Sequence, residues 1–387
     1  MLRVLHTADV HLGARHADLG EQAAAQRERQ LAAFRATVDL AVAEPVDLVL
    51  IAGDLFDSNV QPRRSVDLVA AELRRLVDAR IRTVLIPGTH DVYDRASIYR
   101  SYDLPALAGA VGSDLLTVLT PERDSIVLEA VDVTVHAQVF ATKRAPHSPL
   151  RGLDVRRDGG TTWHLGMVHG SVSIPGQTDG DEVVVTTEEI AATGLDYLAL
   201  GHWHSTSRGR AGATAYAYSG APEPVAMDQD RAGKVLVVTL DQRNGKKSVA
   251  VDERQVGRTR FEKLELDAAG VGSQPALVDF LAASGDPDLV LDVRLIGVRP
   301  DQLDLNIEEI ESALAGRFLK LRVRDRSVPA LSAGAIPSLD TVLGAFIRDV
   351  EARVAELEAA GDDAAAGELR DALRLGRILL AGEEVTL

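Results

Sequence analysis

The chain has 387 residues, 42 Lys plus Arg against 58 Asp plus Glu, a formal charge of -16 and no cysteine. At about 100–200 residues per domain this is two or three domains, and 46% hydrophobic with 26% charged residues excludes a disordered or fibrous chain. The missing cysteines exclude disulfides, thiolate metal sites and a cysteine nucleophile, and fit a reducing cytoplasm. The acidic balance argues against a broad basic coat for nucleic acid, although a bound metal pair supplies positive field locally.

Taken in chain order, MLRVLHTADVHLG opens as a strand and lacks the apolar stretch of a signal peptide. No window reaches the ~18 consecutive apolar residues of a membrane helix, so no membrane partner is expected. A strand at 2–8, a helix at 21–43, a strand at 47–52 (DLVLIA), an amphipathic helix at 64–79 and a strand at 83–87 (TVLIP) form a βαβαβ run. From 115 to 251 short β-rich runs dominate, SIVLEA, VDVTVHA, WHLGMVH, YLALG, TAYAYSG and KVLVVTL, with a short helix at 187–193. Together these predict an α/β fold of two packed β-sheets flanked by helices. Residues 261–326 read strand–helix–strand–helix–strand, a compact α/β unit; PALSAGAIP at 329–337 reads as a linker; the rest is helical, broken by GDD at 361–363. The expected domains are 1–257, 258–330 and a linker with C-terminal helices at 331–387.

Five polar clusters stand at the C-terminal ends of predicted strands: Asp9-Val10-His11, Gly53-Asp54-Leu55-Phe56-Asp57, Gly88-Thr89-His90-Asp91, His169-Gly170 and Gly201-His202-Trp203-His204. Strand ends are where α/β sheets place their sites. Imidazole and carboxylate suit Mn, Fe or Zn. The DxH and HxH spacings put both side chains on one side of an extended segment, so two such pairs can point into one cavity, where a bridging carboxylate holds two ions ~3.5–4 Å apart. His6, His16, His136, His147 and His164 read instead as structural or surface histidines.

These residues resemble the signature of the calcineurin-like metallophosphoesterases. The spacing and the later Tyr218-Ser219-Gly220-Ala221-Pro222-Glu223-Pro224 are similar to the SbcD-type DNA repair exonucleases and their YhaO-like relatives, most strongly over 1–240. The resemblance implies a metal-dependent DNA nuclease with a small α/β capping domain at 258–330. It implies two divalent ions, Mn foremost, with Mg, Fe or Zn as alternatives. Asp9, His11, Asp54 and His204 would bind the first ion; Asp54 would bridge to a second held by His169 and His202. His90 would be the catalytic imidazole and Asp91 would hold its ring; Asp57 is either a further carboxylate behind the ligands or a loop cap. The family's GNHD motif supplies an Asn carbonyl to the second ion, whereas this chain has Thr89, a shorter and weaker neutral ligand. A looser second site is expected.

Candidate DNA contacts are Arg63 and Arg64, Arg95 and Arg100, and a basic loop with Lys143, Arg144, Arg151, Arg156 and Arg157. The resemblance further implies a homodimer, with Tyr99, Tyr102, Leu104 and Leu107 as candidate contacts, and an SbcC-like SMC ATPase partner docking on the C-terminal helices. Two readings compete with the nuclease: a phosphoesterase acting on nucleotides or phosphoproteins, and a non-catalytic subunit that recruits the ATPase.

Overall fold

Alternation within the strands decides the layers. The computed structural model describes residues 1–155, 160–178, 180–224, 226, 229, 231–300, 303–329 and 341–380. In chain order the first part runs β1 (Leu2–Thr7), α1 (Ala23–Ala43), β2 (Leu48–Ala52), α2 (Arg63–Asp78), β3 (Arg82–Ile86), the single turns α3 (Ile98–Ser101) and α4 (Leu104–Leu107), β4 (Leu116–Val118), β5 (Ser125–Leu128) and β6 (Val133–His136). There follow β7 (Trp163–His169), the two-residue pair β8 (Ser171–Val172) and β9 (Val184–Val185), α5 (Thr187–Thr193), β10 (Tyr197–Gly201), β11 (Ser207–Ala211), β12 (Thr214–Tyr218), β13 (Lys234–Arg243) and β14 (Lys246–Gln255).

Two six-stranded sheets result, ordered β14-β13-β1-β2-β3-β4 and β11-β12-β10-β7-β6-β5. The central strands of each are parallel; antiparallel strands stand at both margins of the second sheet and at the β13–β14 margin of the first, whose other edge strand β4 is parallel to β3. Val4, Leu48, Leu50 and Val84 of the first sheet meet Val133, Val135, Leu165 and Ala199 of the second in one buried cluster. The alternate residues Leu5, Val49, Ile51 and Leu85 pack against Phe34, Val38, Val69 and Leu73 of α1 and α2. On the far side, Val168, Leu198 and Leu200 pack against Ile190 of α5 and Leu195. Strands buried on both faces explain the continuous apolar runs DLVLIA and YLALG. Helix, sheet, sheet and helix therefore form four layers. β4, β11 and β14 were not foreseen: β4 is three residues long, and SRGRA and KKSVAVDERQ are polar edge strands with largely exposed side chains.

Contacts divide the chain into Met1–Arg260 and Phe261–Leu387. The second unit has a three-stranded sheet of β15 (Arg260–Asp267), β16 (Leu289–Ile296) and β18 (Lys320–Asp325), with the short pair β17 (Val298–Arg299) and β19 (Val328–Pro329). α6 (Gln274–Ala283) and α7 (Ile307–Ala313) cover it through Leu277, Leu281 and Ile310 against Leu291 and Val293. α8 (Val342–Ala359) and α9 (Asp363–Leu380) pack on each other, and the break between them falls at Gly361, which takes φ 78°. The linker expected at 329–337 lies, from 330 on, outside the described residues.

Candidate metal centre

The loops leaving β1, β2, β3, β7 and β10 meet at one end of the sandwich. Beyond β1 and β2 the chains stay paired: the amides of Asp9, His11 and Leu12 donate to the carbonyls of Gly53, Asp54 and Leu55 at 3.1, 3.0 and 3.0 Å. Asp9, His11, Asp54 and His202 all take positive φ (55°, 50°, 50° and 98°). Non-glycine residues in that region cost of order 1–3 kcal/mol each and persist where surroundings over-determine them, which is common at functional sites. Two glycines let the backbones close in: a methyl group on Gly88 would stand 2.2 Å from Asp54 Oδ1, and one on Gly201 would stand 2.0 Å from the Ala52 carbonyl oxygen.

Asp9 and Asp54 are fully buried. Both Asp9 oxygens accept from the His202 amide at 3.0 Å, and Asp54 Oδ1 accepts from the His90 amide at 2.7 Å. Two of the imidazoles share a tautomer: His169 Nδ1 donates to the Ala52 carbonyl at 2.9 Å and His11 Nδ1 lies 3.3 Å from Asp57 Oδ1. Both thus spend Nδ1–H on the protein and turn Nε2 to the cavity, as second partners do for metal-bound histidine. His204 Nδ1 instead accepts from the Gln229 side-chain amide at 2.6 Å.

Two observations test whether these donors fit a cation. His169 Nε2 is buried and 3.0 Å from Asp54 Oδ2, yet makes no hydrogen bond. His11 Nε2 and His204 Nε2 are 3.1 Å apart with ring centres at 4.8 Å, so these nitrogens meet less head-on than those of His136 and His164, whose centres are 5.4 Å apart at the same nitrogen spacing. The groups Asp9–His11–His204 and Asp9–Asp54–His169 each bring three ligand atoms within 4.8 Å of one another. The residues fit divalent metal.

Electrostatics agree. Burial alone would raise the Asp54 carboxyl, but the charge of His169, 3.0 Å away, with His11 and His90 beyond, holds it below the ordinary carboxylate range. Burial pushes Asp9 up to about 6. Burial opposes charge on His169, yet Asp54, Asp9 and the Ala52 carbonyl raise it to about 10. Burial and the neighbouring histidines lower His204 to about 3. In the metal-free protein at neutral pH, His169 therefore carries the compensating proton. A divalent ion taking Nε2 must expel it, so affinity should rise about tenfold per pH unit for each proton released, over the range between Asp9 titration near 6 and His169 titration near 10. Because Asp57, Asp54 and Asp9 also raise His11, calorimetry of Mn²⁺ binding in buffers of different ionisation enthalpy should count at least about one proton released near pH 7.5; no release would contradict this charge assignment.

The expected positions of Asp9, His11, Asp54, His169 and His204 are brought together, and the His202 ring lies edge-on to His169 with centres 5.4 Å apart. Thr89 is buried, its hydroxyl 3.5 Å from Asp54 Oδ2. His90 is half-exposed at the rim, edge-on to His11 with centres 4.6 Å apart. One expectation is corrected. Asp91 does not hold the His90 ring: it turns inward, accepting from the Gly88 amide at 2.7 Å, the Phe56 amide at 3.1 Å and the Tyr99 hydroxyl. The ring is held through Asp57 instead, whose carbonyl accepts from His90 Nδ1 at 3.0 Å while its carboxylate faces His11. Gln229 was missed; it comes from a distant loop with no periodic signal.

Away from the ligands, Arg63, Arg64, Arg95 and Arg100 are exposed. Arg63 pairs with Asp67 at 2.7 Å, and Arg100 lies over the Tyr93 ring. Lys143, Arg144 and Arg151 are exposed, with Arg144 donating to the Gly180 carbonyl; Arg156 and Arg157 lie outside the described residues. Leu104 is buried in the unit's own core, and Tyr99, Tyr102 and Leu107 pack against it. No helix among the described residues is long and apolar enough to cross a membrane.

Comparison with known proteins places this geometry. The chain is 30% identical over 280 residues to the DNA double-strand break repair protein Mre11 of Aeropyrum pernix, covering 70% of this chain and 65% of that protein. It is 27% identical over 211 residues to the uncharacterized metallophosphoesterase YhaO of Bacillus subtilis, covering 52% of this chain and 48% of that protein. It is 30% identical over 212 residues to a subunit of the SbcCD nuclease of Rhodobacter capsulatus, covering 52% of this chain and 47% of that protein. The chain thus spans between about half and two thirds of the length of these relatives. The family model for calcineurin-like phosphoesterases matches residues 2–206, from β1 through the loop that carries His202 and His204. With more than half of its length matched and the matched loops converging on one buried set of carboxylates and imidazoles, the chain belongs to the calcineurin-like phosphoesterase family.

Proposed function

We propose that this chain is a metal-dependent DNA nuclease, hydrolysing phosphodiester bonds as an exonuclease and also as an endonuclease, in DNA repair or processing. The observation that carries the reading is the set of Nε2 atoms of His11, His169 and His204 turned onto buried Asp9 and Asp54, with His90 beside them at an open rim. The names of the Mre11 and SbcCD relatives favour DNA over other phosphodiesters.

Asp9, His11, Asp54 and His204 would hold one divalent ion, and Asp54, Thr89, His169 and His202 a second, Mn being favoured by the mixed imidazole and carboxylate donors. Such a pair supplies an acidic water at neutral pH and positive charge against the phosphoryl oxygens. The chain's own residues do the rest. Asp57 fixes the proton of His11 on Nδ1 and, through its carbonyl, that of His90 on Nδ1. A carbonyl only accepts, so Nε2 of His90 is the nitrogen free to carry a proton to a leaving alkoxide. We place the protein in the cytoplasm, as a homodimer working with an SbcC-like SMC ATPase, with 258–330 as its capping domain.

The test is turnover with Mn²⁺ on single- and double-stranded DNA beside a panel of small phosphodiesters. Preference for DNA supports the reading. Equal turnover of small phosphodiesters selects the nucleotide or phosphoprotein phosphoesterase, and no turnover selects the ATPase-recruiting role. Within this reading, Thr89→Asn adds a carbonyl donor beside Asp54. It is expected to tighten the weaker Mn²⁺ site by roughly tenfold, the lower end of what a change around a metal ligand moves. Equal affinity in titrations of the two proteins would refute a role for Thr89.

A further inference from the structure

His169 and His202 must face one another, yet they sit at the point where their strands separate, His169 as the last paired residue and His202 just past it. β7 and β10 are paired as far as His169 opposite Gly201. After that the chain at 170–172 turns away to pair with β9, while 202–206 runs toward β11. A single bond from the Gly170 amide to the Gly201 carbonyl at 3.2 Å continues the ladder. The His202 backbone is in a region that side chains rarely adopt, φ 98°, so something outside the ladder has to hold it.

Trp203 occupies that place. Its indole N–H donates to Ser171 Oγ at 2.9 Å, and the Ser171 hydroxyl donates to Asp181. Its ring lies nearly parallel to Tyr218, 15° between planes and 5.2 Å between centres. The Tyr218 hydroxyl in turn donates to the Gly170 carbonyl at 3.0 Å and accepts from the Val172 amide at 2.7 Å. Ser171 and Tyr218 are buried, so each bond is sheltered from water and expensive to leave unmade. The residue between the two histidines of the GHWH segment is thus fastened, edge and face, to the three residues that follow His169.

We propose that Trp203 is a positioning residue, with Ser171 and Tyr218, that sets His202 against His169 and thereby completes the second metal position. It touches neither ion nor substrate; it acts through the two loops. The inference rests on the two-ion reading above. It also gives the tryptophan of GHWH a reason beyond packing: an indole offers one donor and one broad face, and both are used here.

Mn²⁺ binding to the full chain, measured by calorimetry and by electron paramagnetic resonance, tests this without relying on activity. Wild type should bind two ions per chain. Trp203→Ala should keep the tighter ion and weaken the other by about 10–100-fold, the range for residues that orient metal ligands. Trp203→Phe, which keeps the face and loses the N–H, and Ser171→Ala, which loses the same bond from the other end, should each weaken it by about tenfold, and the double variant should add no further loss. These milder variants keep the test decisive if Trp203→Ala fails to fold. Two wild-type ions with unchanged affinities in Trp203→Phe and Ser171→Ala overturn this inference alone. A wild type that binds a single ion overturns the two-ion reading and the inference with it.

Discussion

Replacing Asp54 with alanine is expected to abolish Mn²⁺-dependent hydrolysis, measured as release of acid-soluble nucleotides from DNA. Asp54 is the group that most of the site converges on: Oδ1 accepts from the His90 amide, and Oδ2 faces His169, His11 and Thr89 at 3.0, 3.8 and 3.5 Å. Its loss removes the carboxylate at the centre of the site together with the main partner that holds a proton on buried His169. Losing several kcal/mol of charge stabilisation corresponds to about three or more orders of magnitude in rate at tenfold per 1.36 kcal/mol. Asp54→Asn separates charge from shape, because an amide oxygen can still accept from the His90 amide. It should be nearly as inactive as the alanine variant, and near-normal turnover in Asp54→Asn would refute the role assigned to this carboxylate.

His90→Ala should lower turnover by about 10²–10⁴, the usual range for a positioned proton donor, while Mn²⁺ affinity stays at the wild-type level. The argument is geometric. The contact between this residue and Asp54 is made by the His90 main-chain amide, which the substitution leaves in place, and its ring stands half-exposed at the rim. A parallel fall in Mn²⁺ affinity would make His90 a ligand instead of a proton donor. Both measurements on one protein preparation, steady-state rate on DNA and calorimetric metal titration, separate the two roles.

The convergence of DVH, GDLFD, GTHD and GHWH was legible because α/β topology places the ends of parallel strands along one edge, whereas the roles of their residues came from the resemblance to the calcineurin-like family. The Asp57 and Asp91 assignments were not legible. The resemblance implied Asp91 as the partner of His90, but neighbouring residues on a tight turn point in different directions. Asp91 faces the interior, where the otherwise unpaired amides of Gly88 and Phe56 need an acceptor. Asp57, three residues beyond Asp54, meets His11 because its own amide bonds to the Leu12 carbonyl at 3.1 Å, a pairing between loops that no periodicity announces. β14 escaped for a related reason: an edge strand with one side in solvent keeps lysines and glutamates that blur the two-residue repeat. The apolar spacing of α1 and α2, by contrast, was readable, since both bury a single face on the first sheet.

The close approach at Gly88 and Gly201 has a consequence for anyone wishing to alter this protein. There the distance across the cavity is gauged by peptide planes, with no slack for even one added carbon. A gap calibrated by main chain cannot be widened or narrowed by trading one ligand for a longer or shorter one. Efforts to change which ion is preferred, or how bulky a scissile group is admitted, therefore belong at the rim around His90 and Asp57, where the side chains still have room to move.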